Sequence, residues 1–141
     1  MTLVVDASVA AKWFIEEAGR TQALRLLDVP DRQAPDLLIV EVANVVWKKT
    51  LRGEIGATQA QFICASVAHC FDTLHSSDSL IERAAVVAVD LRHPVYDCLY
   101  LACAEHCGAR LVTADRRLIA AVRETPFAAL VMDLDDLPPS G

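Results

Sequence analysis

The chain is predicted to fold as an α/β domain with a mainly parallel sheet covered by helices on both faces. Three observations carry that expectation. Residues 3–6 and 110–113 are short apolar runs ending in a polar residue, and residues 129–134 form a third such segment. Longer stretches with apolar residues at helical spacing lie between them. Glycines and prolines fall at the joints, at Gly19, Pro30, Gly53, Gly56 and Gly108.

The elements follow in order. Residues 3–6 read as a buried strand, and Asp6 or Ser8 can cap a helix running to about residue 16. Gly19 breaks the chain before a second amphipathic helix over about residues 20–27, with Ala23, Leu24 and Leu27 on one stripe. A brief extended segment surrounds Ala34. Pro35-Asp36 then signals the start of a longer helix to about residue 51, which Gly53 and Gly56 stop. A helix over about 58–70 and a weakly alternating strand at 71–75 come next. Ser76-Ser77-Asp78 caps a helix over about 79–91. His93-Pro94 opens another helix, ended by Gly108 after residue 107, since proline is tolerated in a first turn. Residues 110–113 form a strand, Asp115 caps a helix to about residue 122, and the strand at 129–134 precedes a Pro138-Pro139 tail.

At 141 residues, the expectation is one domain spanning 1–141. Hydrophobic content of 54% with 23% charged residues argues for an ample core or an additional apolar interface, and against disorder. The longest stretch without a formal charge, residues 55–71, carries Thr58, Gln59, Gln61, Ser66 and His69, so no membrane span is expected. With Asp6 where an apolar signal core would lie, a cytoplasmic location is expected. Five cysteines without a CxxC pair suit reduced thiols. Cys103, His106 and Cys107 form a weak zinc alternative, with no second ligand pair evident. A net charge of −6 argues against loose, nonspecific attachment to nucleic acid, although not against a local basic path.

Four acids stand out. Asp6 closes Leu3-Val4-Val5, Glu41 interrupts an apolar helix, Asp97 is the only formal charge between Arg92 and Glu105, and Asp115 follows Leu111-Val112-Thr113-Ala114. A buried carboxylate must neutralise, pair with a cation or line a cleft. Asp6 and Asp115 are also ordinary N-cap positions, and Asp97 could serve its own helix or bond Tyr96 or Tyr100. Both strand-end acids nevertheless fall where parallel sheets bind ligands. Glu41, Asn44, Lys48 and Arg52 share one helical stripe, an acid and an amide inward and cations outward. Ser8 and Thr113 add supporting hydroxyls. At about 6 Å and an effective dielectric near 20, each pair of facing carboxylates costs roughly 3 kcal/mol, which Mg²⁺ or Mn²⁺ would relieve. Such a site suits metal-assisted phosphodiester hydrolysis.

The segments VVDASVAAKWF, PDLLIVEVANVVWKK, VYDCLYLACAE and LVTADRRL, in this order, closely resemble a PIN-domain ribonuclease, most strongly the VapC-type toxins of bacterial toxin–antitoxin pairs. The resemblance implies a three-layer α/β/α sandwich with a central twisted sheet, and an acidic pocket of Asp6, Glu41, Asp97 and Asp115 binding Mg²⁺ or Mn²⁺. Ser8, Asn44 and Thr113 match supporting positions. It further implies RNA as substrate, homodimerisation and a small cognate antitoxin. Lys48, Arg52, Arg116 and Arg117 are candidates for phosphate contacts from their nearness in sequence to these acids. A haloacid-dehalogenase-like phosphatase would want a second Asp where Ser8 stands, and a receiver domain would want adjacent acids near the first strand. The remaining alternative is a PIN-fold module that binds RNA or a protein without cleaving.

Overall fold

The computed structural model of the chain describes residues 1–137; the expected Pro138-Pro139 tail lies outside the described residues. Five strands, β1 (Thr2–Val5), β2 (Asp31–Pro35), β3 (Thr73–His75), β4 (Arg110–Thr113) and β5 (Val131–Asp133), form one sheet in the order β3-β2-β1-β4-β5. Every pairing is parallel. Parallel neighbours require crossover segments, which the helices supply. These are α1 (Ala7–Ala10), α2 (Arg20–Arg25), α3 (Leu37–Leu51), α4 (Ala57–Ser66), α5 (Ser77–Leu91), α6 (Val95–Cys107) and α7 (Arg116–Val122). Right-handed crossovers place α1 to α4 on one face and α5 to α7 on the other, giving the α/β/α sandwich.

The chain builds outward from β1 through β2 to β3, then returns to pair β4 with β1. The switch in strand order therefore lies between β1 and β4, where Val5 is in register with Val112. Side chains at the carboxyl ends of these two strands face a crevice.

α6 is the buried helix. Every residue from Cys98 to Ala104 is buried, against β1, β2 and β4 on one side and α5 on another, so its all-round apolar composition is what its position requires. α3 instead buries Leu38, Val42 and Val46 while leaving Val40, Trp47 and Leu51 exposed.

The first helix and the last strand differ most from the expectation, while the helices expected over about 20–27 and 58–70 end in 3₁₀ turns at Leu26–Asp28 and Val67–Cys70. The first helix stops at Ala10 and tightens into a 3₁₀ turn over Ala11–Trp13 rather than running to residue 16. Trp13 and Ile15 are both buried, and residues two apart point to different sides of a continuous helix. Trp13 Nε1 donates to the Ala23 carbonyl at 2.8 Å, fastening the break to α2. Gly19 takes φ 88° at the turn into α2, a conformation that favours glycine. At the other end, Thr125 caps a 3₁₀ segment over Pro126–Leu130, shortening the last strand to Val131–Asp133.

Leu111 is fully buried in β4, between β1 and β5. Leu111→Ala is expected to destabilise the fold by about 2–5 kcal/mol. A urea titration would register this as a lower midpoint with an unchanged slope.

Candidate active site

The sequence around each acid explains its placement. Asp6 follows β1 with extended backbone and caps α1, accepting from Val9 N at 3.2 Å. Asp115 follows β4 in the same way and caps α7, accepting from Arg117 N and Leu118 N at 2.9 and 3.3 Å. Asp97 lies in the first turn of α6, which begins one residue after Pro94. Negative charge is favoured at all three positions by the unpaired N–H groups of a helix start. Glu41 differs: it projects from within α3, where no helix end compensates it.

All four acids line one cavity of about 490 Å³, together with Ser8, Asn44, Tyr96, Tyr100 and the apolar residues Ala7, Leu37, Val40 and Val45. The cap reading and the cleft reading of Asp6 and Asp115 thus hold together. Thr113 is fully buried behind the cavity wall, where its hydroxyl donates to Asp6 Oδ2. Ser8 Oγ donates to Asp6 Oδ1 at 2.6 Å and accepts from Ala114 N at 3.0 Å, while Asp115 N donates to Thr113 Oγ1 at 3.0 Å. The carboxylate of Asp6 is therefore a knot between the ends of β1 and β4.

Two donors were not foreseen from the sequence as site residues. Tyr100 OH donates to Glu41 Oε1 at 2.5 Å, joining α6 to α3. His93 Nε2 stands 2.5 Å from Asp97 Oδ2, one helical turn away. The second was signalled by the i,i+4 spacing of His93 and Asp97. The first spans 59 residues, and no local spacing points to it.

Burial pushes the Asp6 carboxyl up to about 7, despite hydrogen bonds from Ser8, Thr113 and Val9 that favour its charged form. Desolvation also raises Glu41 and Asp97, against the opposing Tyr100 and His93 bonds. The charge of Asp115 adds to all three, and that of Asp97 adds to Glu41. Burial with the neighbouring Glu41 and Asp6 charges holds the Tyr100 phenol well above its ordinary value, so it remains a donor.

The donor set fits a hard divalent cation. All the polar lining atoms that could ligate are oxygens, from carboxylates, Ser8 and Asn44. Asp97 Oδ1, Glu41 Oε2 and Asp115 Oδ2 accept no hydrogen bond among the described residues, while their partner oxygens are held. Three carboxylates are thus oriented with one oxygen apiece to spare.

The four cations proposed from the sequence are outside this wall. Lys48, Arg52 and Arg117 are exposed and make no ion pair among the described residues. Arg116 grips Asp133 through both guanidinium nitrogens, at 2.7 and 2.5 Å, so a phosphate would have to displace that carboxylate.

A family model described as PIN domain matches residues 3–124. The chain is 35% identical over 121 residues to Ribonuclease VapC3 of Pyrobaculum aerophilum, covering 84% of this chain and 92% of that one. It is 34% identical over 122 residues to Ribonuclease VapC1 of Mycobacterium tuberculosis, covering 84% of this chain and 89% of that one. Among solved structures, PAE2754 from Pyrobaculum aerophilum matches with a TM-score of 0.66 at 25% identity, covering 96% of this chain and 90% of the other. A chain of a toxin–antitoxin complex from Klebsiella pneumoniae shares the fold with a TM-score of 0.69 at 17% identity, covering 94% and 97%.

Asp6 holds its proton more tightly folded, at about 7, than at its ordinary value of 3.8. The stability this lends is complete below pH 3.8, on the order of 4 kcal/mol, and is lost as pH rises through about 7. Glu41 and Asp97 act in the same direction, and His75, lowered by burial and His106, acts in the opposite one. In chelator-treated protein, the melting temperature of the wild type relative to Asp6→Asn should therefore fall between pH 5 and pH 8. A difference that stays flat or rises would contradict the assignment.

Proposed function

The chain belongs to the PIN-domain family, and from that premise we propose that it is an endoribonuclease, the toxin of a toxin–antitoxin pair, which hydrolyses RNA phosphodiester bonds. The observation that carries the reading is the gathering of Asp6, Glu41, Asp97 and Asp115 around one cavity at the strand-order switch, in a chain similar to proteins named ribonuclease over most of its length. Residues 1–141 act as one catalytic unit.

The four acids would hold Mg²⁺ or Mn²⁺. The bound cation supplies Lewis-acid polarisation of the scissile phosphate and lowers the pKa of the attacking water. The protein's own part is positioning. Ser8 and Thr113 fix both oxygens of Asp6, Tyr100 fixes Glu41, and His93 fixes Asp97, so the negative wall is set before substrate arrives. Preset charge reduces reorganisation during the reaction. Leu37, Val40 and Val45 give one side of the cavity an apolar wall. Asn44, on the lip of the same wall, is suited to a hydrogen bond with a ribose or phosphate oxygen.

Lys48, Arg52 and Arg117, exposed and without ion pairs among the described residues, are the cations we assign to the RNA backbone, with Arg116 able to join them by leaving Asp133. The cognate partner is a small antitoxin, and the chain forms a homodimer. The exposed apolar side chains Val40, Trp47 and Leu51 of α3 give protein partners a surface to cover. We assign the toxin to the cytoplasm; no helix of the described residues is long and apolar enough to cross a membrane.

Asp6→Asn and Asp97→Asn, checked as folded, should each lower Mg²⁺-dependent RNA cleavage by at least about 100-fold, as expected for loss of a metal-ligating carboxylate. Full cleavage by both variants would falsify the catalytic assignment. If the chain were instead an RNA-binding module, the antitoxin-free wild type would retain RNA in a gel shift and leave it uncut with either ion. Loss of one phosphate contact in Lys48→Ala should shallow the salt dependence of RNA binding by about one unit of slope, with kcat little changed.

A further inference from the structure

The opposite end of α6 carries a second cluster of chemistry. Six and ten residues beyond Asp97, roughly 9 and 15 Å along a helix, Cys103 and Cys107 meet His75 from the end of β3. The ligand atoms of these three residues all lie within 4.8 Å of one another. Cys103 is buried, and the other two are partly buried. The sequence had pointed to His106 as the companion of the two cysteines; the fold supplies His75 instead, with His106 stacked edge-on beside it at 5.3 Å between ring centroids.

Gln33 of β2 completes the group. Its Nε2 donates to Asp31 Oδ2 at 2.9 Å, which turns its Oε1 toward the cluster. There Oε1 stands 2.6 Å from His75 Nε2 and accepts from Cys107 Sγ at 3.1 Å. Two protons, one on nitrogen and one on sulfur, thus converge on a single oxygen. A cation replacing those protons would keep the same atoms satisfied. His75 Nε2 and Cys107 Sγ are already 3.5 Å apart. A tetrahedral zinc with Zn–S near 2.3 Å and Zn–N near 2.0–2.1 Å places such a pair about 3.6 Å apart.

We propose that His75, Cys103 and Cys107 form a second metal site, selective for a thiophilic cation such as Zn²⁺, with the Gln33 amide oxygen at its fourth corner. It is separate from the acidic cavity, whose oxygen-only wall suits harder ions. On binding, the two thiols release their protons to solvent, and the single imidazole proton passes through solvent from Nε2, which donates to Gln33 in the free site, to Nδ1, freeing Nε2 for the ion. Burial raises both thiols, which are therefore protonated when free. The ion would clamp the end of β3, the middle of β2 and the last turns of α6, three pieces far apart in sequence.

Cobalt(II) reports thiolate ligation directly. Titrating the reduced, chelator-treated full chain with Co²⁺ should produce an ultraviolet thiolate-to-cobalt charge-transfer band and intense visible d–d bands, saturating at one equivalent and bleached by Zn²⁺. Both features should be retained in Asp6→Asn and Asp97→Asn, and lost in Cys107→Ser and in His75→Gln. The second variant leaves both sulfurs in place, so its loss separates ligation at this site from binding to thiols generally. Zn²⁺ should likewise raise the melting temperature of the wild type and Asp6→Asn, and leave that of folded Cys107→Ser unmoved. A titration without the charge-transfer band, or a band that survives Cys107→Ser, would overturn the site.

Discussion

The structure depends on one buried carboxylate. Asp6 sits where two parallel strands end side by side, out of water, with its oxygens divided between Ser8, Thr113 and the N–H of Val9. Neither oxygen can be moved without undoing a contact that also defines the turn after β4, since Ser8 and Thr113 each accept a backbone N–H from that turn. The cavity therefore inherits its shape from the way this charge is accommodated. Glu41, Asp97 and Asp115 are arranged around it, and their mutual repulsion is what makes the site receptive to positive charge.

The fold was legible because its signals are local. Short apolar runs at 3–5 and 110–113, the serine cap before α5 and the glycine after α6 each declare themselves within a few residues. Where the sequence misled, a distant contact won over local pattern. Helix α1 ends early because Trp13 must reach Ala23, and β5 starts late because Thr125-Pro126 begins a 3₁₀ turn. The same division runs through the site. Asp6 and Asp115 could be placed from strand ends, and Glu41 with Asn44 from helical spacing. The Tyr100 bond to Glu41, and the selection of His75 rather than His106 as neighbour of Cys107, need the register of β2, β3 and α6, which no single stretch encodes.

Helix α6 connects these themes. Its first turn holds Asp97 at the acidic cavity, its middle is fully enclosed, and its last turn carries Cys107. The enclosed stretch from Cys98 to Ala104 has little room to yield, because packed interiors are close to incompressible. The thiol end and Asp97 thus lie at the two ends of one packed helix. The exposed apolar side of α3 is the contrasting case, a face on which Val40 reaches the cavity lip while Trp47 and Leu51 stay in water.

The hydroxyl of Thr113 and the carboxylate of Asp6 are separated by 107 positions in the chain. Closing so long a loop is slow compared with forming a helix or a local strand crossover. During synthesis β1 emerges first yet waits for β4, with β2 and β3 able to join it beforehand on its other edge. A nascent chain thus acquires most of its sheet while its acids are still apart. The cleft comes together only once β4 has joined β1, so a chain that stops short of β4 carries part of the sheet without the four acids gathered.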